Sequence, residues 1–315
     1  MESGAGVKAS DATVVMATYD PQRWNLFASA VESLLSGSDR PHRVVVSVDH
    51  NEELYERIRL EWPQITVLLN RGVRGASSTR NTGAESADTP FMVFLDDDVS
   101  VQEGWLTRLL APFADPGVVG TGGGVVAGWQ LGRPSWFPEE FHWVVGASYR
   151  GMPTVQSVIR NVWSENMAVR TDVFRSVGGF RSEFGKVGQR SRPEDTDLCI
   201  RMAASVAEGR WIYAPDALAQ HHVPASRSTF SFFLRRSYEE GRGKVEMAYL
   251  LGRQEKLQDE RDYMLRTLPS GILAGIWTTI RHGDLSGFLK AGAIVCGIAA
   301  AGIGAASGMK YFSRR

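Results

Sequence analysis

The amino-acid sequence predicts an α/β fold, with an open parallel sheet flanked by helices and a separate apolar region near the C-terminal end. Short runs rich in valine alternate with amphipathic segments of helical period between residues 12 and 110. This alternation is typical of parallel strands joined by crossover helices. The apolar region is indicated by an uncharged run at residues 291–309.

Four strands are predicted in the first half, each followed by a helix. They lie at residues 12–18, 43–48, 65–69 and 91–95. The helix after the first strand repeats apolar residues such as Phe27 and Val31 at helical spacing, and Gly37 is its expected stop. Since ligands of an open parallel sheet bind beyond the carboxyl ends of its strands, side chains at those ends are candidate site residues.

Composition limits the class of protein. The 315 residues, 43% of them hydrophobic, suffice for one large or two modest domains with a core. The 35 basic and 35 acidic residues cancel, so no overall field favours nucleic acid as a partner. Cys199 and Cys296 cannot form a disulfide framework, and the polar start of the chain lacks the apolar core of a secretory signal. We therefore expect a cytoplasmic location.

Three consecutive carboxylates, Asp96, Asp97 and Asp98, end the fourth predicted strand. Since acids are depleted from strands, an acidic turn in a solvated loop is the ordinary interpretation. Their position at a strand end favours a cation site instead. In an extended chain Asp96 and Asp98 point the same way and Asp97 points the opposite way. Two carboxylates on one side suit Mg²⁺ or Mn²⁺, completed by substrate phosphates, and leave Asp97 for a sugar hydroxyl.

An ordered set of motifs carries a family resemblance. These are ATYDPQRW, an aspartate closing the second strand, STRNTG, FLDDDV, WSENMAVRTDVFRSVGGF, RPEDTDLCIRM and HHVPASR. Each motif alone is loose, but in this order they resemble a family 2 glycosyltransferase of the membrane-associated bacterial type, over residues 12–245. The resemblance implies the GT-A fold, a Rossmann-like open mixed sheet flanked by helices. It also implies inverting transfer from a nucleoside-diphosphate sugar, most simply a UDP-sugar, to a glycan or glycolipid hydroxyl.

The resemblance implies a nucleotide-sugar site in the first half of the chain. Its members would be Thr18, Tyr19, Asp49, Arg80, Asp96 and Asp97. Asp49 would meet the base, although it could equally cap the helix that starts near Asn51. Arg80 would lie near the base and the diphosphate, and its alternative is an exposed surface arginine. The second strand ends in VDH where the family often has two acids, so the choice of base stays open.

The resemblance implies a catalytic base in the segment PEDTD. Glycosyl transfer needs a base because a sugar hydroxyl is too weak an acid to attack unaided at neutral pH. Asp195 is the implied base, with Glu194 beside it, and a helix N-terminus keeps a carboxylate ionised. Asp197 is expected to be a structural acid of the first helical turn.

Metal and acceptor sites are implied as well. Mg²⁺ or Mn²⁺ would be held by Asp96 and Asp98, and His222 fits the family's histidine ligand better than His221, with a structural histidine as the alternative. The implied acceptor and sugar pocket contains Trp163, Glu165 and Asn166. For Trp163 the alternative is an ordinary core tryptophan.

The C-terminal region predicts membrane contact. The run at residues 291–309 has about the length of a membrane span, but it consists mostly of alanine and glycine. The run at residues 268–280 is too short to span and would lie in the interface. A buried helix pair of a soluble protein is the alternative. We expect the chain at the cytoplasmic face of the cell membrane, either peripheral or anchored at its C-terminal end.

These inferences divide the chain into four parts. They are a polar tail at 1–11, a catalytic domain at 12–228 with halves at about 12–125 and 126–228, a helical extension at 229–267 and a membrane-associated segment at 268–315. Two other functions stay open. A sugar-phosphate nucleotidyltransferase should show a basic glycine-rich signature after its first strand, and a non-catalytic membrane-attached binding module would not need the complete acid set. A homo-oligomer also stays open.

Overall fold

The computed structural model describes residues 6–182, 185–187, 190–192, 194–251 and 261–312. The chain forms two compact units, one of Met1–Val126 with Pro153–His221 and one of Ala127–Met152 with His222–Arg315. Residues 1–5 of the predicted tail, Pro193 of the PEDTD segment and residues 252–260 of the predicted helical extension lie outside the described residues.

The first unit is built on a mixed sheet. Its strands are β1 (Ala12–Thr18), β2 (Arg43–Asp49), β3 (Thr66–Asn70), β4 (Phe91–Asp96), β5 (Val99–Val101), β6 (Val118–Trp129), β7 (Ser157–Ile159), β8 (Asn166–Arg170) and β11 (Arg210–Val223). The strand order is β3-β2-β1-β4-β8-β6-β11-β5, and β7 pairs with β11. The first four strands run parallel, as predicted, and β8 runs antiparallel to β4 and β6. A separate hairpin joins β9 (Gly185–Val187) to β10 (Arg190–Arg192).

Helices cover both faces of this sheet. Their bounds are α1 (Trp24–Ser36), α2 (Glu52–Glu61), α3 (Ala76–Glu85), α4 (Trp105–Leu110), α5 (Thr171–Ser176) and α6 (Glu194–Ser205). Along β1, Val14 packs into the core under α1, α2 and α4, whereas its neighbour Val15 packs into the core under α3, α5 and α6. Burial on both faces explains why β1 is a continuous apolar run instead of an alternating one.

The carboxyl ends of the parallel strands meet at one edge of the sheet. Strand register sets Thr18 beside the end of β2, Asp49 opposite Asn70 on β3, and Asp96 next to Ala17 of β1. The polar residues that the sequence places at separate strand ends therefore form one row. This edge is the place where an open α/β sheet binds ligands.

The second unit is helical with an aromatic core. It contains α7 (Phe230–Leu251), α8 (Leu268–His282) and α9 (Leu285–Phe312), together with the 3-10 helix Glu139–Val145. Phe137, Phe141 and Phe233 form the centre of its core, joined by Leu268 of α8 and Ile294 of α9. Among the described residues, one helix, Leu285–Tyr311, is long and apolar enough to cross a membrane by length and composition.

Candidate active site

Arg80 joins two of the predicted acids. It lies on α3, is 6% exposed, and donates to Asp96 Oδ1 at 2.6 Å and to Glu194 Oε1 at 3.3 Å. Burial lowers the pKa of Arg80, but the carboxylates of Asp96, Glu194 and Asp195 more than offset this and the net shift is upward. The surface-arginine alternative is therefore wrong. Asp96 at the end of β4 and Glu194 at the start of α6 are held together across 98 residues of sequence by one buried guanidinium.

Arg23 joins the other two acids of the triplet. It ends the short 3-10 helix Pro21–Arg23 that comes after β1, and its guanidinium lies 2.9 Å from Asp97 Oδ1 and also pairs with Asp98. Thr18 donates to the second oxygen of Asp97 at 2.7 Å, and Tyr19 beside it is 58% exposed. Burial raises the pKa of Asp97 to about 7, against the lowering effect of Arg23. Sequence reasoning missed Arg23, although a basic residue just beyond the carboxyl end of β1 was the signal that could have found it.

The geometry of the triplet differs from the prediction. The chain does not stay extended, because β4 ends at Asp96 and a turn follows at Asp97 and Asp98. Consequently Asp97 and Asp98 share the guanidinium of Arg23, while Asp96 pairs with Arg80. The prediction that Asp96 and Asp98 lie on one side, with Asp97 opposite, assumed the alternation of side chains along a strand. It is wrong because the strand ends before Asp97.

His221 lies against this triplet, whereas the sequence analysis favoured His222. Its Nε2 is 3.3 Å from Asp98 Oδ2, and its Nδ1 is 3.9 Å from Glu165 Oε2. The cause is register, because β11 pairs with β5 so that His221 stands opposite Val99, next to Asp98. Neighbouring residues of a strand face opposite ways, so His222 does not share the face of His221. The geometry therefore favours His221 as the histidine of the site.

Glu165 shows that the acids converge. It is 8% exposed, and its Oε1 is buried with no hydrogen-bond partner among the described residues. Burial raises the pKa of Glu165 to about 8, His221 lowers it, and the charges of Asp96, Asp98 and Asp195 raise it further. Carboxylates from β4, from the segment before β8 and from α6 thus act on one another within one site.

Asp195 is held at the start of α6. Its carboxylate accepts hydrogen bonds from the side chain and backbone of Ser164, and its Oδ1 is buried without a hydrogen-bond partner in the described part of the chain. Burial raises the pKa of Asp195 and of Glu194, and Arg80 offsets part of both shifts. Asp197 is fully buried and pairs with Arg201 on its own helix, which agrees with the structural role expected for it.

Asp49 belongs to the strand-end row and not to a helix cap. Its carboxylate accepts from Asn70 Nδ2 at 2.9 Å and from Gly75 N at 3.0 Å. The cap of α2 is Asn51, which accepts from Leu54 N at 3.0 Å, so the capping alternative for Asp49 is wrong. Sequence reasoning missed Asn70, whose amide reaches Asp49 and also organises the loop that leads into α3.

Asn166 is locked into the framework. It is 1% exposed, its Oδ1 accepts from Trp105 Nε1 at 2.8 Å, and its Nδ2 donates to the carbonyls of Gly124 and Ala217, each at 3.1 Å. Both ends of the amide are therefore engaged, which favours a structural role over the acceptor contact expected from the sequence. Trp163 is half-buried, and its carbonyl accepts from Asn166 N at 3.2 Å.

The donor types at this site fit a hard divalent cation. Carboxylate oxygens of Asp96 and Asp98, with the imidazole of His221, are ligands that Mg²⁺ and Mn²⁺ accept. Among the described residues no group of three or more such side chains has metal-binding geometry. Protein ligands alone are too few, which is typical of Mg²⁺ sites completed by substrate phosphates. The buried Oε1 of Glu165, which has no hydrogen-bond partner among the described residues, is a further oxygen at this site that a cation or a substrate hydroxyl could satisfy.

Sequence comparison decides the family. The sequence model described as Glycosyl transferase family 2 matches residues 13–178. The chain is also 31% identical, over 260 residues, to the glucosyl-dolichyl phosphate glucuronosyltransferase of Haloferax volcanii, covering 80% of this chain and 83% of that relative. This chain belongs to glycosyl transferase family 2. As a family 2 glycosyltransferase it is an enzyme, so the nucleotidyltransferase and binding-module alternatives are set aside.

Solved structures confirm the GT-A fold of this family 2 enzyme. The mannosyltransferase PcManGT of Pyrobaculum calidifontis, in complex with GDP-Man and Mn²⁺, superposes with a TM-score of 0.59 at 16% identity, over 98% of this chain and 91% of that one. GalNAc-T7 with UDP, GalNAc and Mn²⁺ gives a TM-score of 0.51 at 16% identity over 80% of this chain. The chain spans 53% of GalNAc-T7. At these identities the likeness concerns the fold.

Proposed function

We propose that this family 2 glycosyltransferase moves a sugar, with inversion, from a nucleoside-diphosphate sugar to a hydroxyl of a lipid-linked glycan. The observation that carries the proposal is the convergence of acids at the carboxyl edge of the parallel strands, where Arg80 joins Asp96 to the start of α6 and His221 lies between Asp98 and Glu165. The name of the Haloferax relative supports a lipid-linked acceptor. The nucleotides bound to the two solved neighbours support a nucleoside-diphosphate donor.

The donor is proposed to bind along the row of strand ends. Thr18 and Tyr19 would border the nucleoside, and Asp49 would accept hydrogen bonds from the base. The hydrogen bonds from Asn70 and Gly75 orient the Asp49 carboxylate for this contact. UDP-sugars are the first donors to test, with GDP-sugars as the second class because a fold neighbour holds GDP-Man.

Asp96 and Asp98 are proposed to hold Mg²⁺ or Mn²⁺, with His221 as the histidine ligand. When bound, the cation offsets the charge that develops on the leaving diphosphate. The chain's own contribution is to hold these carboxylates in place through ion pairs with Arg80 and Arg23.

Asp195 is proposed to take the proton of the acceptor hydroxyl. As the hydroxyl oxygen bonds to the anomeric carbon, the bond from that carbon to the diphosphate oxygen breaks, and attack from the opposite side inverts the configuration. The upward shift in the pKa of Asp195, caused by its burial, suits a carboxylate that must accept a proton. Glu194 is the poorer candidate because Arg80 occupies one of its oxygens.

The acceptor side is proposed to involve the membrane. A lipid-linked acceptor requires the enzyme to work at a membrane surface, and we place it at the cytoplasmic face. The apolar helix Leu285–Tyr311 is the candidate for contact with lipid.

Substitution of the acid pair tests the mechanism. Asp195→Asn should lower transfer to a working acceptor by ~10²–10⁴-fold, which is the usual cost of removing a general base. Donor affinity, measured by calorimetry with Mn²⁺ present, should stay within a few-fold of the parent. Glu194→Gln is the matched control and should cost less. Near-parental transfer by an Asp195→Asn protein that circular dichroism shows to be folded would contradict both the residue assignment and direct displacement.

A further inference from the structure

Glycine and alanine occupy most of the buried positions of α8 and α9, and Leu268 and Ile294 are the exceptions. The buried positions of α8 are Leu268, Gly271 and Gly275. Those of α9 are Gly287, Ala291, Ala293, Ile294, Gly297, Gly304 and Gly308. A helix that packs in water turns its large apolar residues inward. In helices that pack in lipid, small residues lie at the helix–helix contacts and large apolar residues lie on the outer surface.

Large apolar side chains make up the outer face of this helix pair. On α8, Leu273, Trp277 and Ile280 follow helical spacing and are 67%, 61% and 72% exposed. The face continues on α9 with Leu285, Phe288, Leu289, Val295, Ile303 and Met309. Single exposed hydrophobic residues are ordinary, but a continuous face of this kind indicates a surface that something covers.

The two helices meet backbone to backbone. A Cβ on Gly275 of α8 would lie 2.5 Å from the carbonyl oxygen of Gly287 on α9. The turn between them is closed by Asp284, whose Oδ1 accepts from Ser286 N at 2.9 Å. The apolar faces of α8 and α9 are therefore parts of one rigid hairpin.

Contact with α7 excludes a simple crossing of the bilayer by α9. A Cβ on Gly308 of α9 would lie 3.3 Å from the carbonyl oxygen of Arg242 on α7, and Gly304 allows the same close approach to Tyr238. The outward residues of α7 include Arg235 and Glu239, both exposed. If α9 crossed the bilayer, α7 would be drawn into the hydrocarbon beside it. The charged side chains of α7 would then lie in lipid, which is energetically costly.

Charge on the hairpin favours an anionic lipid surface. Between residues 268 and 312 the charged residues are Arg281, Lys290, Lys310 and a single acid, Asp284. Basic residues at the borders of an apolar face bind the headgroups of anionic lipids. Charge and apolar face together select a membrane as the occupant over a water-soluble partner.

We propose that α8 and α9 form a one-leaflet membrane wedge. The face that contains Leu273, Trp277, Ile280 and Phe288 inserts into a single leaflet of a bilayer containing anionic lipid, and the chain does not cross that bilayer. The wedge rests on the proposed function, because it specifies how the enzyme contacts the membrane that holds its lipid-linked acceptor. It involves no residue of the catalytic site. Failure of the wedge and failure of the transfer mechanism are therefore separable.

Vesicle binding tests the wedge. We expect the double variant Trp277→Asp with Ile280→Asp to bind vesicles of phosphatidylcholine and phosphatidylglycerol about tenfold or more weakly than the parent, because two large apolar side chains leave the lipid. Leu60→Asp, on α2, is the matched control, since Leu60 is 75% exposed but lies outside the hairpin. Point variants are required because Ile294 belongs to the core, so removal of α9 would damage the fold of its unit.

Depth measurement distinguishes the wedge from a crossing helix. Cys296 is exposed on α9 and Cys199 is buried, so a fluorescent thiol label selects the former. Labels at Leu285→Cys and Ile303→Cys, in a Cys296→Ala background, mark the two ends of a segment ~27 Å long. The wedge predicts similar shallow depths for all three labels when spin-labelled lipids quench them.

Three outcomes would overturn the proposal. The first is a label at Cys296 near the bilayer centre while the labels at positions 285 and 303 are shallow. The second is unchanged vesicle binding by the folded double variant. The third is a stable dimer that buries the outer face and does not bind vesicles. Retained nucleotide binding by the double variant shows that the catalytic unit is folded. Lost transfer activity with intact vesicle binding would count against the catalytic proposal alone.

Discussion

At the scale of single residues, the two adjacent histidines of β11 offer the sharpest test of the metal site. His221 faces Asp98, and we expect His221→Ala to weaken Mn²⁺ binding in the presence of UDP at least about 10-fold, because groups that ligate or orient a metal cost this much or more. His222→Ala is the matched control and should change the affinity little. Calorimetric titration of Mn²⁺ checks both variants. A larger loss in His222→Ala would restore the assignment made from sequence.

The sequence could predict some of these residues but not their partners. Asp96, Asp98 and Asp195 are recognisable because each stands at a strand end or helix start in an ordered motif. The choice between His221 and His222 depends on the register of β11 against β5, which local pattern does not encode. The pairing of Arg80 with Glu194 likewise joins positions 114 residues apart, so only the folded chain shows it.

At the scale of elements, the alternation of apolar runs with amphipathic segments correctly predicted the parallel strands of the nucleotide-binding half. Strands buried on both faces leave long apolar runs, and these runs located β1, β2, β3 and β4. An acidic turn after Asp96 was the ordinary interpretation of the triplet, since aspartate is a common turn residue, but the prediction assumed an extended chain there and was wrong about the directions of the three side chains. The antiparallel strand β8 was also missed, since its residues NMAVR lie in a motif interpreted only for binding.

The glycine-rich strand β6 shows what tertiary packing adds. A Cβ at Gly120 would collide with the ring of Trp211, and one at Gly122 would collide with Val162. Close packing within the sheet unit therefore explains why glycine stands at these two positions.

This packing predicts a stability effect. Gly120→Ala should lower the free energy of unfolding by about 1–3 kcal/mol, the usual cost of overpacking a core, because the Trp211 ring is itself fully packed. Chemical denaturation followed by circular dichroism measures the change. Gly243→Ala, in α7 with nothing within 4 Å of the new Cβ, is the control and should be neutral or stabilising. Equal stability of the Gly120 variant and the parent would contradict the packing argument.

At the scale of the whole molecule, the active site is expected to cost stability. Burial raises the pKa of Glu165 to about 8 and that of Asp97 to about 7, so ionising either group is unfavourable in the folded chain. Functional sites often contain groups that lower the stability of the folded protein. The same two groups therefore make the stability of the protein depend on pH.

The sign of that dependence follows from proton linkage, and it gives a prediction for Glu165. Its pKa rises from an ordinary 4.5 to about 8 in the folded chain, so between these values the native state keeps a proton that the unfolded state has lost. The free energy of unfolding should therefore be highest at the acidic end of this window and fall as pH rises towards 8. Glu165→Gln removes the ionisation and should flatten the fall, while Glu61→Gln, at an exposed position of α2, should keep the parental profile. Thermal unfolding between pH 5 and pH 8, without metal or nucleotide, measures the three profiles. A parental Tm that climbs with pH across the window, or a Glu165→Gln profile identical to the parental one, would show that this carboxylate is not held in its neutral form by burial.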